Sequence, residues 1–433
     1  MRMKIQGSLR AIGWAFSLYL FAGTALAALQ IEISQGGEGA IPVAVVPFAG
    51  NAPQMLNEVI AGDLARSGQF SPMPDSKMPE RPTRPDYVGF PAWRAVGTDY
   101  LVIGDVQPAG AGQWRVEFHL FDVYKGVQMT GLSINARTED LRMAGHRIAD
   151  IVYEAILGIK GAFNTRIAYV TETKGADGKA RYNLEVADSD GYNPQVVLES
   201  IHPIMSPSWS PDGGRIAYVS FEGRRSGIYI QDLASGRRER VASFPGINGA
   251  PAWSPRGDRL ALTLSKDGNP EIYVLDLATR QERRLTQSGA IDTESAWSAD
   301  SSSVIFTSDR SGQPQIYQVD ASGGPARRLT FEGSYNAGGN LSPDGRWLAT
   351  VHGGGGGFRI GVQDLASGGF RAISQGRNDE RPSFAPNSAM ILHAAQEGGR
   401  SVLKVVSVDG RSSQRLSLQK GKVRDPAWGP YRQ

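Results

Sequence analysis

Two spacings of apolar residues divide this chain. In the N-terminal third they change from segment to segment. LQIEI (29–33) alternates as a short strand, and PVAVVPF (42–48) is a continuous apolar run suited to a buried strand. Leu56, Val59, Ile60 and Leu64 then recur at helical spacing, and Ser67-Gly68 supplies a stop. After a proline-rich connector (71–91), Tyr100-Leu-Val-Ile-Gly and WRVEFHLFDV (114–123) read as strands. Leu141, Ala144, Ile148, Ile151, Val152, Ala155 and Ile156 share one face of a helix over 139–158. The expected result is a small mixed α/β domain over residues 28–160.

From Thr165 onward the pattern becomes periodic. PSWSPDG (207–213) returns as PAWSPRG (251–257), SAWSADS (295–301), GNLSPDG (339–345), PSFAPNS (382–388) and PAWGPY (426–431), with steps of 44, 44, 44, 43 and 44 residues. Each period repeats the same strands: IAYVS-like (216–220), IYIQDL-like (228–233), a basic-apolar strand such as RRLTQ (283–287), and the strand carrying the Trp. Four short strands in a unit of this length mark a β-propeller blade. Pro211 pre-sets φ in the turn, and Gly213 supplies the positive φ that a tight hairpin needs. The Trp fills the wedge between neighbouring sheets, so the repeated phrase is structural. IAYVS-type strands occur six times, from 167–170 to 390–395, while the last Trp strand stands at the C-terminus. Joining that strand to the first unit closes a six-bladed ring over 161–433 and removes its open edges.

Composition alters this picture at one point. Arg2, Lys4 and Arg10, an apolar run from Ala11 to Ala22 and Ala25-Leu26-Ala27 form a secretory leader over residues 1–27. The leader holds three basic residues and no acid, so its removal takes the formal charge from +3 to zero. Nucleic acid is therefore not an expected partner. Zero cysteines exclude disulfides, thiolate metal sites and a Cys nucleophile. No second long apolar stretch suggests membrane insertion, and a bacterial periplasm is the expected location, with the chain a monomer.

With these features in place, the chain resembles the TolB family of the bacterial Tol-Pal envelope system. The likeness rests on the six SPDG-type repeats behind a leader and an α/β domain, and on the phrases IPVAVVPF, GIKGAFNTRIAYV (158–170), SDGYNPQVV (189–197), VASFPGINGAPAWSP (241–255) and FTSDRSGQPQIYQV (306–319). The resemblance implies a non-enzymatic scaffold without cofactor. It implies a propeller that binds the lipoprotein Pal, an N-terminal segment and domain that engage TolA, and contact with other outer-membrane or peptidoglycan-associated proteins. It also implies roles in outer-membrane integrity and in envelope constriction at cell division.

The loops before the Trp strands share one phase and must gather at one mouth of the central channel. They supply His202 and Met205; Ile247, Asn248 and Ala250; Asp292, Thr293 and Glu294; Tyr335 and Asn336; Asp379 and Glu380; and Arg424. Binding positions vary where scaffold positions repeat, although unconstrained loops vary too. The resemblance assigns this set to Pal. It also implies that Ile247 puts an apolar group where the family commonly has His. Leu29, Gln30, Ile31, Glu32 and Ile33 either pack as an edge strand or add to a partner's sheet, and the resemblance assigns them to TolA.

Competing chemistry finds little support. Propeller-type peptidases need a G-x-S-x-G elbow, and no Ser here has Gly at both second neighbours. His119, His146, His202, His352 and His393 form no H-E-x-x-H and read as surface or loop residues. Asp188-Ser-Asp190-Gly191 begins like a calcium loop but lacks the remaining ligand spacing. The glycines at 353–357 read as a loop between strands. A propeller binding sugar or peptidoglycan fragments remains the alternative.

Overall fold

A computed structural model describes residues 39–223, 225–416 and 421–432. The leader, and the segment with Leu29, Gln30, Ile31, Glu32 and Ile33, lie outside the described residues.

The N-terminal domain is one five-stranded sheet with helices packed on it. Its elements are β1 (Ile41–Val45), α1 (Leu56–Arg66), β2 (Phe70–Pro72), α2 (Phe90–Ala95), β3 (Tyr100–Gly110), β4 (Gln113–Asp122), β5 (Val127–Arg137) and α3 (Leu141–Leu157). The sheet order is β2-β1-β3-β4-β5. β1 pairs in parallel on both sides, which is why its run of apolar residues is buried on both faces. α1 ends at Arg66, and Gly68 takes φ 73° directly after the Ser67 cap, as the Ser-Gly signal predicts. α3 buries Leu141, Ala144, Ile148 and Val152, whereas Ala155, assigned to that face by spacing, is exposed. The proline-rich connector holds more order than its composition suggests. Glu80 in it accepts the Gly89 amide and the indole N–H of fully buried Trp93, each at 2.7 Å.

The rest of the chain forms six four-stranded antiparallel sheets arranged as a propeller. The Trp strands Ile204–Trp209, Asn248–Trp253 and Asp292–Trp297 are the innermost strands of blades 1 to 3. Tyr335–Leu341 and Glu380–Phe384 serve blades 4 and 5. Blade 6 is closed by the C-terminal strand Lys422–Tyr431, which pairs with Thr165–Lys174 through Trp428 opposite Ile167. The Trp strand thus opens a blade instead of completing one.

Consecutive blades are fastened by a repeated pair. Arg166, Arg215 and Arg259, each near the start of a second strand, lie 5.1, 4.9 and 5.1 Å over the rings of Trp209, Trp253 and Trp297 in the next blade. Where Leu341 replaces the Trp, Ser303 replaces the arginine, so the loss of one member coincides with the loss of the other. Trp297 also donates its indole N–H to the Ala252 carbonyl of blade 2 at 3.0 Å. Trp297→Ala is expected to cost about 3–5 kcal/mol, because it removes a buried wedge, a stacked cation and an interblade hydrogen bond together. Urea unfolding followed by tryptophan fluorescence and circular dichroism measures this.

Candidate functional site

The channel is built from one residue position in each blade. Ser206, Ala250, Glu294, Gly338, Arg381 and Asp425 each stand three residues before the Trp, Leu or Phe, and all adopt positive φ, from 44° to 60°. Each sits in a β-bulge where the register of the inner strand shifts. Left-handed backbone costs a residue other than glycine roughly 1–2 kcal/mol, yet five of these six carry side chains. The bulges turn that ring inward onto a cavity of about 250 Å³ lined by all six inner strands.

Three members of the ring are charged, and they interlock. Arg381 pairs with Asp425 at 3.1 Å and Glu294 at 3.5 Å. Burial opposes its charge, but Asp425, Glu294 and Glu380 outweigh that and raise its pKa. Glu294 Oε2 accepts the Gly338 amide at 2.9 Å, and Asp425 Oδ2 accepts the Ser206 amide at 3.2 Å. The carboxylates thus bind backbone donors of neighbouring blades and tie adjacent inner strands together. Of this ring the loop phase singles out only Ala250 and Glu294. Reading the 44-residue step three positions before each Trp finds the other four.

Five positions before the Trp lies a second repeated ring, which the fold buries. Asn248, Asp292, Asn336 and Asp379 are buried, with their polar groups turned into the loops instead of toward solvent. Asn248 donates to Phe244 O and accepts from its amide, both at 2.8 Å. Asp292 accepts from Arg310 at 2.7 Å. Asn336 donates to Glu332 O at 2.8 Å, and Asp379 accepts from Ser374 Oγ and the Gly376 amide. These side chains staple the loops that enter the inner strands.

The remaining mouth residues face outward to varying degrees. His202 and Glu380 are exposed, Met205, Thr293 and Tyr335 are half-buried, and Arg424 pairs with Glu172. Tyr335 leans on Phe358 with ring centroids 5.0 Å apart, beside a cavity of about 770 Å³ that also meets Glu380 and Gln396. Ile247 is 48% exposed, and Ile291, in the equivalent position of the next blade, is 50% exposed. Ile201 and Phe331, on the corresponding loops of other blades, are 63% and 71% exposed. The apolar character of these loops therefore extends past Ile247 to three residues that the loop phase alone did not single out. Four exposed apolar side chains on successive loops at one end form a surface suited to protein contact.

The described residues of the N-terminal domain leave that end open. Inner strands run from the mouth toward the SPDG-type turns, and the domain packs at the turn end. Asn387 Nδ2 donates to Lys160 O, Gln69 meets Asp409, Ser412 meets Arg66 O, and Lys160 lies 4.0 Å over the Tyr431 ring. Phe163, Met390, Leu403 and Trp428 continue the domain's apolar core into blades 5 and 6.

Among the described residues, one group of His and Asp side chains is spaced for a metal: Asp63, His146 and Asp190. Its carboxylates are already bonded to Arg66 and Arg142, two cations that oppose a third. Asp188, which ends the strand Ala180–Asp188 and begins the calcium-like phrase, is paired with Arg432. His146 and His393 are 1% exposed, in contrast to the surface or loop positions expected from sequence. The glycine run forms a hairpin in which Gly357 takes φ 127° and a Cβ would lie 2.2 Å from Arg377 O. Among the described residues no helix is long and apolar enough to cross a membrane.

Two family models match: the TolB amino-terminal domain over residues 29–129 and the TolB beta propeller domain over residues 153–432. The Tol-Pal system protein TolB of Thioalkalivibrio sulfidiphilus is 60% identical over 413 residues, 94% of this chain and 95% of its own. That of Xanthomonas campestris pv. campestris is 57% identical over 411 residues, 93% of each chain. The crystal structure of TolB from Acinetobacter baumannii superposes with a TM-score of 0.86 at 42% identity, covering 93% of this chain and all of that one. The α/β domain, the six-bladed ring and these relatives agree: the chain belongs to the TolB family of the Tol-Pal system, a component of the bacterial envelope.

Proposed function

We propose that the chain is a periplasmic scaffold that holds the lipoprotein Pal at the propeller mouth and engages TolA through the segment with Leu29, Gln30, Ile31, Glu32 and Ile33. In this reading it supports outer-membrane integrity and constriction at division. Residues 1–27 are its leader, 28–160 the TolA-side domain and 161–433 the Pal-side propeller. The observation that carries the reading is the exposed apolar set Ile201, Ile247, Ile291 and Phe331 on loops at the end that the described residues of the N-terminal domain leave open. His202, Thr293, Tyr335, Glu380 and Arg424 supply a polar rim around it, the usual anatomy of a protein interface. Asn248, Asp292, Asn336 and Asp379 act beneath it by holding loop shape, with Ala250 and Glu294 in the channel ring.

A photo-crosslinking residue at Ile247, used in intact envelopes, tests this. Covalent capture of Pal is expected, and a chain lacking residues 29–33 is expected to keep Pal and lose TolA. Capture of peptidoglycan fragments with no Pal would favour the ligand-binding propeller.

A further inference from the structure

A cluster of ionised side chains is sealed where the two domains meet. On α1, Asp63 Oδ1 accepts from Arg66 at 2.5 Å, and Oδ2 lies 2.6 Å from Nδ1 of His146 on α3. The opposite ring nitrogen, Nε2, has no hydrogen-bond partner among the described residues and faces Asp190 Oδ2 at 3.8 Å, on a turn of blade 6. The side chains of all three are at most 3% exposed. Arg142, also on α3, reaches Asp190 as well. Asp150 lies further along α3, accepting the Phe163 and Asn164 amides, and Arg432 pairs with Asp188 on the blade-6 strand leading into the turn.

We propose that the imidazolium of His146 is a pH-sensitive pin between the N-terminal domain and the propeller: protonated, it joins Asp63 of one to Asp190 of the other, and neutral, it releases the blade-6 turn. The geometry carries this. Both ring nitrogens face carboxylate oxygens, and a neutral ring has only one N–H. Either neutral tautomer would aim a lone pair at a buried anion.

The direction with pH follows. Burial opposes the charge on His146, but Asp63 and Asp190 outweigh it and raise its pKa. Its stabilisation is therefore complete below the ordinary histidine value of about 6.5 and is lost as pH rises through the higher folded value. Asp190 does not interfere in that range. Burial would raise it, but the charges of His146, Arg66 and Arg142 pull it down to about 2, so its contribution fades only in acid. Asp150 does interfere, because burial raises it to about 6 and its ionisation also costs stability as pH rises. Asp150→Asn removes that contribution.

The experiment uses the full-length mature chain carrying Asp150→Asn, with and without H146Q. Nitrogen-15 imidazole resonances report each histidine, and the signal absent from H146Q is His146. Because the chain has no cysteine, Glu58→Cys and Gln195→Cys provide two unique spin-label sites, one on each domain. The expected result is a His146 midpoint above 6.5 and an interdomain distance distribution that broadens across that midpoint, with no pH response in H146Q. The melting temperature is expected to fall by on the order of 2–4 °C over the same range. A midpoint at or below 6.5, or a distance distribution unchanged through the titration, overturns the pin. Zinc stabilisation that requires His146 also overturns it, by making the cluster a metal site.

Discussion

Deleting residues 422–433 is expected to abolish cooperative folding of the propeller and leave an aggregating chain. That segment is the inner strand of blade 6, and it pairs with Thr165–Lys174 along its length. Its loss strips a full hydrogen-bonding edge and uncovers the faces that Val423, Ala427 and Trp428 bury. Trp428 also donates to Thr165 Oγ1 at 2.8 Å, and Asp425 holds both Arg381 and the Ser206 amide in the channel ring. Contacts to the N-terminal domain through Tyr431 and Arg432 go with it. Losses of this breadth exceed the roughly 5–15 kcal/mol by which domains are ordinarily stable, and the exposed edge templates association. Size-exclusion chromatography and thermal unfolding measure the outcome. A truncated chain that elutes as a monomer and melts like the full one would refute closure by this strand. A synthetic peptide of the missing residues, added during refolding, is expected to restore part of the monomer.

Replacing Ile247 and Ile291 together by aspartate is expected to weaken Pal binding on the order of 100-fold without lowering the melting temperature appreciably. Both side chains are about half exposed, so they contribute little to the fold, and such substitutions usually change stability by about 0.5 kcal/mol or less. In a complex they would be covered, and each carboxylate would then have to be desolvated without a partner. Asn248→Ala provides the contrast. Its side chain makes three hydrogen bonds, to the Phe244 amide, the Phe244 carbonyl and the Gly246 carbonyl. Losing them is expected to lower binding and the melting temperature together, because the loop itself is unpinned. Titration calorimetry beside thermal melts separates the two cases. Undiminished Pal binding by the double aspartate chain would move the interface away from these loops.

Much of the architecture was legible because it repeats. The 44-residue step, the Pro and Gly of each turn and the Trp wedge are local features. Six copies and an unpaired C-terminal strand leave one simple way to close. The same regularity does not reveal burial at the mouth. Asn248, Asp292, Asn336 and Asp379 look like variable surface residues on a polar loop, yet each finds a hydrogen-bond partner in the segment that precedes it or in an adjacent hairpin. Polar character alone does not distinguish a side chain that faces water from one that satisfies a buried loop. Ile291 escapes the loop phase for a related reason: it is an ordinary apolar residue in sequence, and only its solvent exposure marks it out.

By itself, then, the sequence determined the units: an α/β domain, six blades, their turns and the strand that closes them. Each follows from spacings of a few residues or from one period repeated. Tertiary structure alone decided what the units do to one another. It set Arg381 between Glu294 and Asp425 and the N-terminal domain at the turn end. It also brought together Asp63 and His146, 83 residues apart in the chain, beside Asp190. The physical reason is that ring closure and domain docking join segments whose separation in sequence carries no periodic signal. Charges that look solvated along the chain become partners only when the fold excludes the water between them.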